Sequence, residues 1–210
     1  GHTDLLLGAP WAGENDRGTV YGILGGQLPD TGPITDVRDI EIIGSGEASW
    51  AGMALSTLRV QDEVGASIVV GEPGYNQGRG RVVLYPPDLI EQSPLSPKYR
   101  FLLRGSEEPG GAMHFGRSLQ QGDLDGDQLA DLVIGAPDFR YDRRSDAGRA
   151  WIYLGRSSLD WAMENPAEQT ADGSIWGSQA FHRVSRFMRI SDLNNDGRAD
   201  ILLPTRAAPP

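Results

Sequence analysis

Short apolar segments recur along this chain, and each ends in a turn that contains glycine or proline. The three clearest copies run through aliphatic residues to Gly, a variable residue and Pro, at 4–10, 67–73 and 131–137. Their glycines, Gly8, Gly71 and Gly135, are 63 and 64 residues apart, and a degenerate fourth copy occupies 200–205. Because the spacing is nearly constant, the pattern indicates one structural unit that is repeated along the chain.

Each repeat also holds further segments with the composition of β-strands, rich in β-branched and aromatic residues and bounded by glycine. A Gly-led strand follows the apolar segment at 18–24, 80–85 and 148–154, and a short strand ending in glycine follows it at 40–44, 101–105 and 174–177. A strand with an aromatic residue near its start then opens the next repeat, at 50–58, 115–119 and 181–190. The run Leu132-Val133-Ile134 is apolar at every position, which predicts a strand buried on both faces.

Four short strands at a fixed period are typical of the blades of a β-propeller. The predicted fold class is all-β, a partial β-propeller of about three four-stranded blades, with units at 1–48, 49–113, 114–178 and a partial unit at 179–210. Propellers close with about four to eight blades. We therefore expect a fragment whose ring is completed by the remaining blades of a parent propeller; a half-ring that self-associates is the alternative.

Two acidic loops, 123–131 and 192–200, precede the third and fourth apolar segments. Oxygen-bearing side chains occupy positions 1, 3, 5 and 9 of each loop, and the backbone carbonyl of position 7 offers a further oxygen. Such carboxylates repel one another unless a hard cation with six to eight oxygen ligands lies between them, and Ca²⁺ is the usual one. The predicted ligands are Asp123, Asp125, Asp127, Leu129 and Asp131 in the first loop, and Asp192, Asn194, Asp196, Arg198 and Asp200 in the second.

An EF-hand opens with the same acidic alternation, but it needs a bidentate Glu at position 12 and helices on both sides. Position 12 is Ile134 in the first loop and Leu203 in the second, and the flanking segments are rich in β-branched residues and glycine. The pattern therefore excludes an EF-hand. A calcium loop between strands, or an acidic turn without metal, remains.

Composition and charge limit the possible partners, chemistry and location of the protein. The 210 residues carry 19 Lys and Arg against 29 Asp and Glu, and a net charge of −10 argues against a nucleic acid or an anionic membrane as partner. No run approaches the roughly 20 apolar residues of a membrane span. The absence of cysteine excludes disulfides and thiol catalysis. Acidic loops without helix support commonly bind Ca²⁺ at about 0.1–1 mM, so we expect an extracellular or cell-surface location.

The dipeptide Phe115-Gly116, the first acidic loop and the tripeptide Gly135-Ala136-Pro137 together resemble the FG-GAP repeat. That repeat builds the propeller of integrin alpha subunits and the C-terminal part of GPI-specific phospholipase D. The resemblance covers nearly the whole chain and implies a calcium loop between the first two strands of a blade. It implies a non-catalytic segment that serves recognition or adhesion, or alternatively the C-terminal propeller of a GPI-specific phospholipase D-like hydrolase whose catalytic domain is absent.

Three departures from the FG-GAP pattern bear on the cation sites. In the second repeat Arg59 takes the first loop position, so no cation is expected there. In the third repeat Gln128 takes position 6, where the family commonly has Gly, and a positive φ would cost on the order of 1 kcal/mol. In the last repeat, 181–182 take the place of Phe-Gly and 204–205 the place of Gly-Ala.

Catalytic motifs are absent from the sequence. The three histidines, His2, His114 and His182, are far apart, and no HExxH, GxSxG or P-loop sequence occurs. We therefore expect no enzyme activity from these residues. Trp11, directly after the first apolar segment, and the loop 140–144 are the best candidates for contact with a protein or glycan partner on a face of the propeller.

Overall fold

The computed structural model describes residues 3–26, 31–59, 65–92, 99, 101–105, 111–156 and 166–206. Within these residues, thirteen β-strands form four antiparallel sheets. The first sheet contains β1 (Leu5–Ala9), β2 (Thr19–Ile23) and β3 (Ile40–Ile43). The second contains β4 (Ala54–Leu58), β5 (Ser67–Glu72), β6 (Arg81–Tyr85) and β7 (Phe101–Arg104).

The third sheet contains β8 (Ser118–Gly122), β9 (Asp131–Ala136), β10 (Arg149–Tyr153) and β11 (Gly173–Trp176). The fourth contains β12 (Arg189–Ser191) and β13 (Asp200–Leu202). The helices are short and lie in the connections: α1 (Ile34–Val37), α2 (Tyr75–Gly78), α3 (Pro87–Gln92), α4 (Ala167–Thr170) and a 3₁₀ turn at Glu14–Asp16. None of the helices in the described part of the chain is long and apolar enough to cross a membrane.

Every sheet is a meander in which strands consecutive in sequence are neighbours. The first strands of the second, third and fourth sheets, β4, β8 and β12, lie beside one another in that order. The sheets therefore stack side by side with one edge strand of each along a common line, as blades do around a propeller axis. The all-β, partial-propeller prediction is confirmed, and the described residues do not close a ring.

Apolar side chains pack between sheets rather than within one. In β5, Ile68 and Val70 face a core shared with the first sheet, whereas Val69 faces a core shared with the third. Successive residues of a strand point to opposite faces, so a central blade needs apolar residues at every position. In β9, Leu132 and Ile134 join the core toward the second sheet and Val133 joins the core toward the fourth. The prediction that this strand is buried on both faces is confirmed.

Glycines bring the backbones of neighbouring sheets into contact. A Cβ atom on Gly71 of β5 would overlap the carbonyl oxygen of Gly116, which lies just before β8. Gly8 of β1 meets the carbonyl of Gly52 in the same way, just before β4. At both contacts, the glycine inside the strand of one sheet packs on the glycine that lies two residues before the next sheet. This contact is the physical reason for Gly8 and Gly71, because a Cβ atom on either would overlap a carbonyl oxygen of the neighbouring sheet.

The structure corrects the alignment of the last repeat. Each of three amides donates to the carbonyl of the residue before the glycine that leads β2, β6 or β10. The pairs are Ala51 with Arg17, Phe115 with Arg79, and Val184 with Ala147. Val184-Ser185 therefore takes the place of Phe115-Gly116, and the expected match at 181–182 is wrong by three residues. The opening strands also start later than expected, at 54, 118 and 189. The residues before them form a turn with positive φ at Trp50, His114 and Arg183, which a strand cannot contain.

That turn links three sheets through equivalent residues. Trp50 stacks on His114 with ring centroids 5.5 Å apart, and His114 Nδ1 lies 2.6 Å from Asp138 Oδ2. Arg183 lies 3.5 Å from Asp138 and 2.7 Å from Asp146. Burial alone would raise the pKa of Asp138, but the hydrogen bond from His114 and the charges of His114 and Arg183 lower it below the ordinary value.

We expect Asp138→Asn to lower the free energy of unfolding at neutral pH by about 1–2 kcal/mol, the usual worth of a hydrogen bond to a charged group. A carboxylate whose pKa is lower in the folded than in the unfolded state stabilises the fold at pH values above its unfolded pKa of about 3.9. That stability is lost as the pH falls through the folded-state pKa. The variant should therefore lose less stability than the parent on acidification below about pH 4. Denaturant titrations from pH 7 to pH 2 measure this, and Asp142→Asn, at an exposed side chain, is the control. Parallel acid profiles for the parent and Asp138→Asn would contradict it.

We expect Gly71→Ala to destabilise the fold by about 1–3 kcal/mol or more, because the new methyl meets the Gly116 backbone and not a side chain that can turn away. Gly46→Ala is the matched control, since a Cβ there meets only the Tyr75 ring at 3.9 Å. Urea titration at pH 7 measures both variants. Equal midpoints for Gly71→Ala and Gly46→Ala would show that the sheets do not depend on the glycine contact.

Candidate metal centre

The two acidic loops have the same backbone. Loop 1 (residues 123–131) connects β8 to β9, and loop 2 (residues 192–200) connects β12 to β13. Positions 4 and 6 have positive φ in both: 86° and 72° at Gly126 and Gln128, and 61° and 87° at Asn195 and Gly197. A left-handed residue at every second position coils the chain so that the side chains of positions 1, 3 and 5 turn inward. The expected positive φ of Gln128 is present.

Side-chain oxygens of loop 1 accept hydrogen bonds from its own amides. Asp123, at position 1, accepts from the amides of Gly126 at 2.7 Å and Gln128 at 2.8 Å. Asp127, at position 5, accepts from the amide of Leu129 at 2.8 Å. These bonds hold the carboxylates inside the loop and set their orientation.

Loop 2 repeats most of this scheme, with position 1 accepting from position 5 in place of position 4. Asp192 accepts from the amides of Asp196 at 3.2 Å and Gly197 at 2.9 Å. Asp196 accepts from the amide of Arg198 at 2.9 Å, and the position 9 carboxylate of Asp200 accepts from Leu193 at 2.9 Å. The equivalent bond in loop 1 runs from Leu124 to Asp131 at 2.6 Å. Two loops that share the same residues at positions 1, 2, 5, 8 and 9 have therefore folded to closely similar geometries.

Carboxylate oxygens converge in loop 1. One oxygen each from Asp123, Asp125 and Asp131 lies within 4.8 Å of the other two. Asp127 was predicted as a fourth acidic ligand, but its carboxylate is not in this group. In the described residues, loop 2 forms no such group of three acidic side chains, and Asn194 there donates to Asp196 at 3.0 Å. The structure thus gathers three of the predicted acidic ligands of loop 1.

Burial makes Asp131 the unusual member of the cluster. It is fully buried, and its two oxygens accept from the amides of Leu124 and Gly155 at 2.6 and 2.7 Å. Burial raises the pKa of Asp131, the two amide bonds oppose that rise, and the charges of Asp125 and Asp127 add to it. In loop 2, the hydrogen bond from the Arg198 amide lowers the pKa of Asp196 below its ordinary value.

The donor set of loop 1 fits a hard divalent cation. Three converging carboxylates repel one another, and one of them is buried, so the arrangement carries an electrostatic cost that a cation would remove. All the available donors are oxygens, which Ca²⁺ prefers over the nitrogen and sulfur ligands of zinc. A carboxylate oxygen that already accepts a hydrogen bond from an amide keeps a second lone pair for a metal.

Other repeats keep parts of the loop. Asp4 corresponds to Asp131, and it accepts from the Gly25 amide at 2.8 Å as Asp131 accepts from Gly155. Sequence reasoning missed this glycine donor, although Gly25 and Gly155 both follow the strand that pairs with β1 or β9. In the second repeat, 60–64 lie outside the described residues. The absence of a cation beside Arg59 therefore stays a prediction.

Comparison with known proteins identifies the repeat. The family model for the FG-GAP repeat matches residues 115–153, which begin at Phe115 and include loop 1 and all of β9 and β10. This stretch of the chain is an FG-GAP repeat. The match starts at the residue whose following glycine packs on Gly71, and it contains the carboxylate cluster.

Curated relatives include integrin alpha chains and a phospholipase D. Integrin alpha-D from Homo sapiens is 32% identical over 65% of this chain, and integrin alpha-5 from Xenopus laevis is 26% identical over 95% of it. Phosphatidylinositol-glycan-specific phospholipase D from Mus musculus is 25% identical over 75% of this chain. The chain spans only 12% to 18% of the length of these relatives. The likeness therefore concerns only a part of each relative.

The two loops differ at position 6, which gives a matched pair of substitutions. We expect Gly197→Ala to cost about 1–2 kcal/mol, since φ is 87° and a Cβ there meets nothing within 4 Å, so only backbone strain acts. We expect Gln128→Gly to stabilise by less than that, because glycine also increases the entropy of the unfolded chain. Urea titrations at one fixed free Ca²⁺ concentration measure both changes. A stability change of the same sign in the two variants would contradict the conclusion that backbone strain at position 6 decides it.

Proposed function

We propose that this chain is a calcium-binding FG-GAP propeller segment, not catalytic in itself, that serves recognition or adhesion outside the cell. The observation that carries the proposal is the convergence of Asp123, Asp125 and Asp131 within 4.8 Å. Likeness to integrin alpha chains supports the same assignment. The proposed ligands are those at positions 1, 3, 5, 7 and 9 of the two loops: Asp123, Asp125, Asp127, Leu129, Asp131, Asp192, Asn194, Asp196, Arg198 and Asp200.

Calcium in these loops would act on structure. Each loop joins two strands of one sheet, so a bound cation holds a hairpin closed at its exposed end. It also neutralises carboxylates that otherwise repel one another. Because the carboxylates of position 9 begin β9 and β13, cation binding would stabilise the sheets themselves. The four repeat units proposed from the sequence fit this scheme, since each described sheet falls within one unit.

A partner would contact the end of the sheets opposite the cation loops. In an antiparallel meander, the β8–β9 and β9–β10 connections lie at opposite ends of β9. The end away from the cation loops carries the β1–β2 loop, and Trp11 in this loop is 66% exposed. It also carries the β9–β10 loop with exposed Arg140 and Arg143. A protein or glycan ligand is proposed for this face, because rigid sheets position its loops.

A second candidate is a propeller portion of a GPI-specific phospholipase D-like hydrolase. The relative from Mus musculus aligns over 75% of this chain and favours it. The carboxylates of loop 1 are the only group of three or more His, Cys, Asp or Glu side chains positioned for a metal in the described part of the chain. Hydrolysis would therefore depend on residues beyond these sheets. The sequence of the native protein that carries this chain distinguishes this candidate from the first.

We expect Ca²⁺ to raise the thermal midpoint of the protein relative to excess chelator. A cation at 100 times its dissociation constant stabilises by about 2.7 kcal/mol per site. The double variant Asp125→Asn, Asp196→Asn should lose the shift, because it removes a carboxylate from the centre of each loop. Differential scanning calorimetry in Ca²⁺ and in chelator measures the effect.

The control for this experiment is Asp36→Asn, an exposed aspartate in α1 outside both loops. It should keep the full calcium shift, since it removes the same charge without removing a proposed ligand. An unchanged midpoint in the parent protein, up to extracellular concentrations of Ca²⁺, would overturn the proposed function.

A further inference from the structure

The two acidic loops are in direct contact with each other. The amide of Ala199, at position 8 of loop 2, donates to the carbonyl oxygen of Asp123 at 2.7 Å. Asp123 is position 1 of loop 1, and its carboxylate belongs to the converging cluster. The methyl of Ala199 also packs against Gly122, the last residue of β8, where a Cβ would lie 3.0 Å from it. One backbone hydrogen bond and one apolar contact thus join the start of loop 1 to the end of loop 2.

The side chain of Arg198 adds a second link. Its stem lies over Gly126, at position 4 of loop 1, where a Cβ would meet Arg198 Nε at 2.9 Å and Cγ at 3.3 Å. The same residue belongs to loop 2 through its backbone, because its amide donates to Asp196 at 2.9 Å. Its carbonyl is the proposed position 7 ligand of that loop. Arg198 therefore contacts loop 1 with its side chain and would bind the second cation with its backbone.

We propose that the two loops bind cations cooperatively, with Ala199 and Arg198 of loop 2 positioning loop 1. This inference rests on the proposed cation binding. A cation in loop 2 fixes the backbone of 196–200, and the Ala199 amide and the Arg198 stem are then held against loop 1. Loop 1 loses less conformational freedom when its own cation binds, so its affinity rises. By thermodynamic linkage, a cation in loop 1 raises the affinity of loop 2 by the same factor.

Charge acts against this coupling. Two divalent cations repel each other, and the guanidinium of Arg198 repels a cation in loop 1. The side chains of Arg198, Asp125 and Asp196 are exposed, so salt weakens these repulsions, and the Debye length is about 10 Å at 0.1 M and shorter at higher salt. The contact through Ala199 and the Arg198 stem does not depend on salt in this way. Cooperativity should therefore increase as the ionic strength rises.

Isothermal titration calorimetry with CaCl₂ tests the coupling on the whole chain. One variant disables loop 2 with Asp192→Asn and Asp196→Asn, and another disables loop 1 with Asp123→Asn and Asp125→Asn. We expect the remaining site of each variant to bind Ca²⁺ at least about five-fold more weakly than in the parent, by the same factor in both directions. Circular dichroism verifies that each variant is folded.

Substitutions at Arg198 test the link without touching the proposed ligand atoms, because position 7 contributes its carbonyl. Arg198→Ala removes the stem and should reduce the coupling, whereas Arg198→Met keeps most of the stem and should retain it. Arg206→Ala is the control, since this exposed arginine lies beyond both loops. Equal coupling in Arg198→Ala and in the unmutated protein would show that the Arg198 side chain does not contribute to the coupling between the two loops.

The outcomes separate the two proposals. If the parent protein binds no Ca²⁺ up to several millimolar, the proposed function fails, and the coupling fails with it. If the parent binds two cations but each single-loop variant keeps the parent affinity, only the coupling is overturned. A loss of affinity in one direction alone also contradicts it, because equilibrium coupling is reciprocal.

Discussion

Neighbouring sheets of this protein touch backbone to backbone, and at two of the three boundaries glycine lies on both sides of the contact. Gly71 faces Gly116 across one boundary, and Gly8 faces Gly52 across another. Because the backbones meet there, the apolar strands on either side come close enough to form one core between each pair of sheets. In the last boundary Ser185 replaces the glycine with φ 74°, and its hydroxyl donates to the carbonyl of Arg149 at 2.7 Å. A new hydrogen bond there offsets part of the strain.

The cation loops follow from this stacking. Each loop lies at the end of a sheet-opening strand, and those strands lie side by side, so loop 1 and loop 2 come into contact as a result of blade packing. A proposed cation loop of one repeat therefore lies beside the loop of the next repeat in space. The opposite end of the sheets carries loops of different composition, and a rigid scaffold would position those loops for the proposed recognition.

Much of this could be predicted from the sequence, because the determining interactions are local or periodic. Alternating and continuous apolar runs defined the strands, and the spacing of oxygen side chains defined the loops, whereas the positive φ at Gln128 is read from the backbone. The alignment of the last repeat failed at Phe181, because an aromatic residue is a weaker signal than the hydrogen bond from the Val184 amide. Only the backbone shows that bond, since valine and serine there resemble neither phenylalanine nor glycine.

The sequence by itself determined the fold class, the repeat and the two acidic loops proposed to bind cations, since these depend on side-chain type and spacing along the chain. The tertiary structure decided which carboxylates converge: Asp131 is buried among amides and joins Asp123 and Asp125, while Asp127 does not. It also decided that Arg198 lies across Gly126, more than one repeat away. Contacts between sheets depend on how backbones pack in space, and no spacing along one strand encodes them.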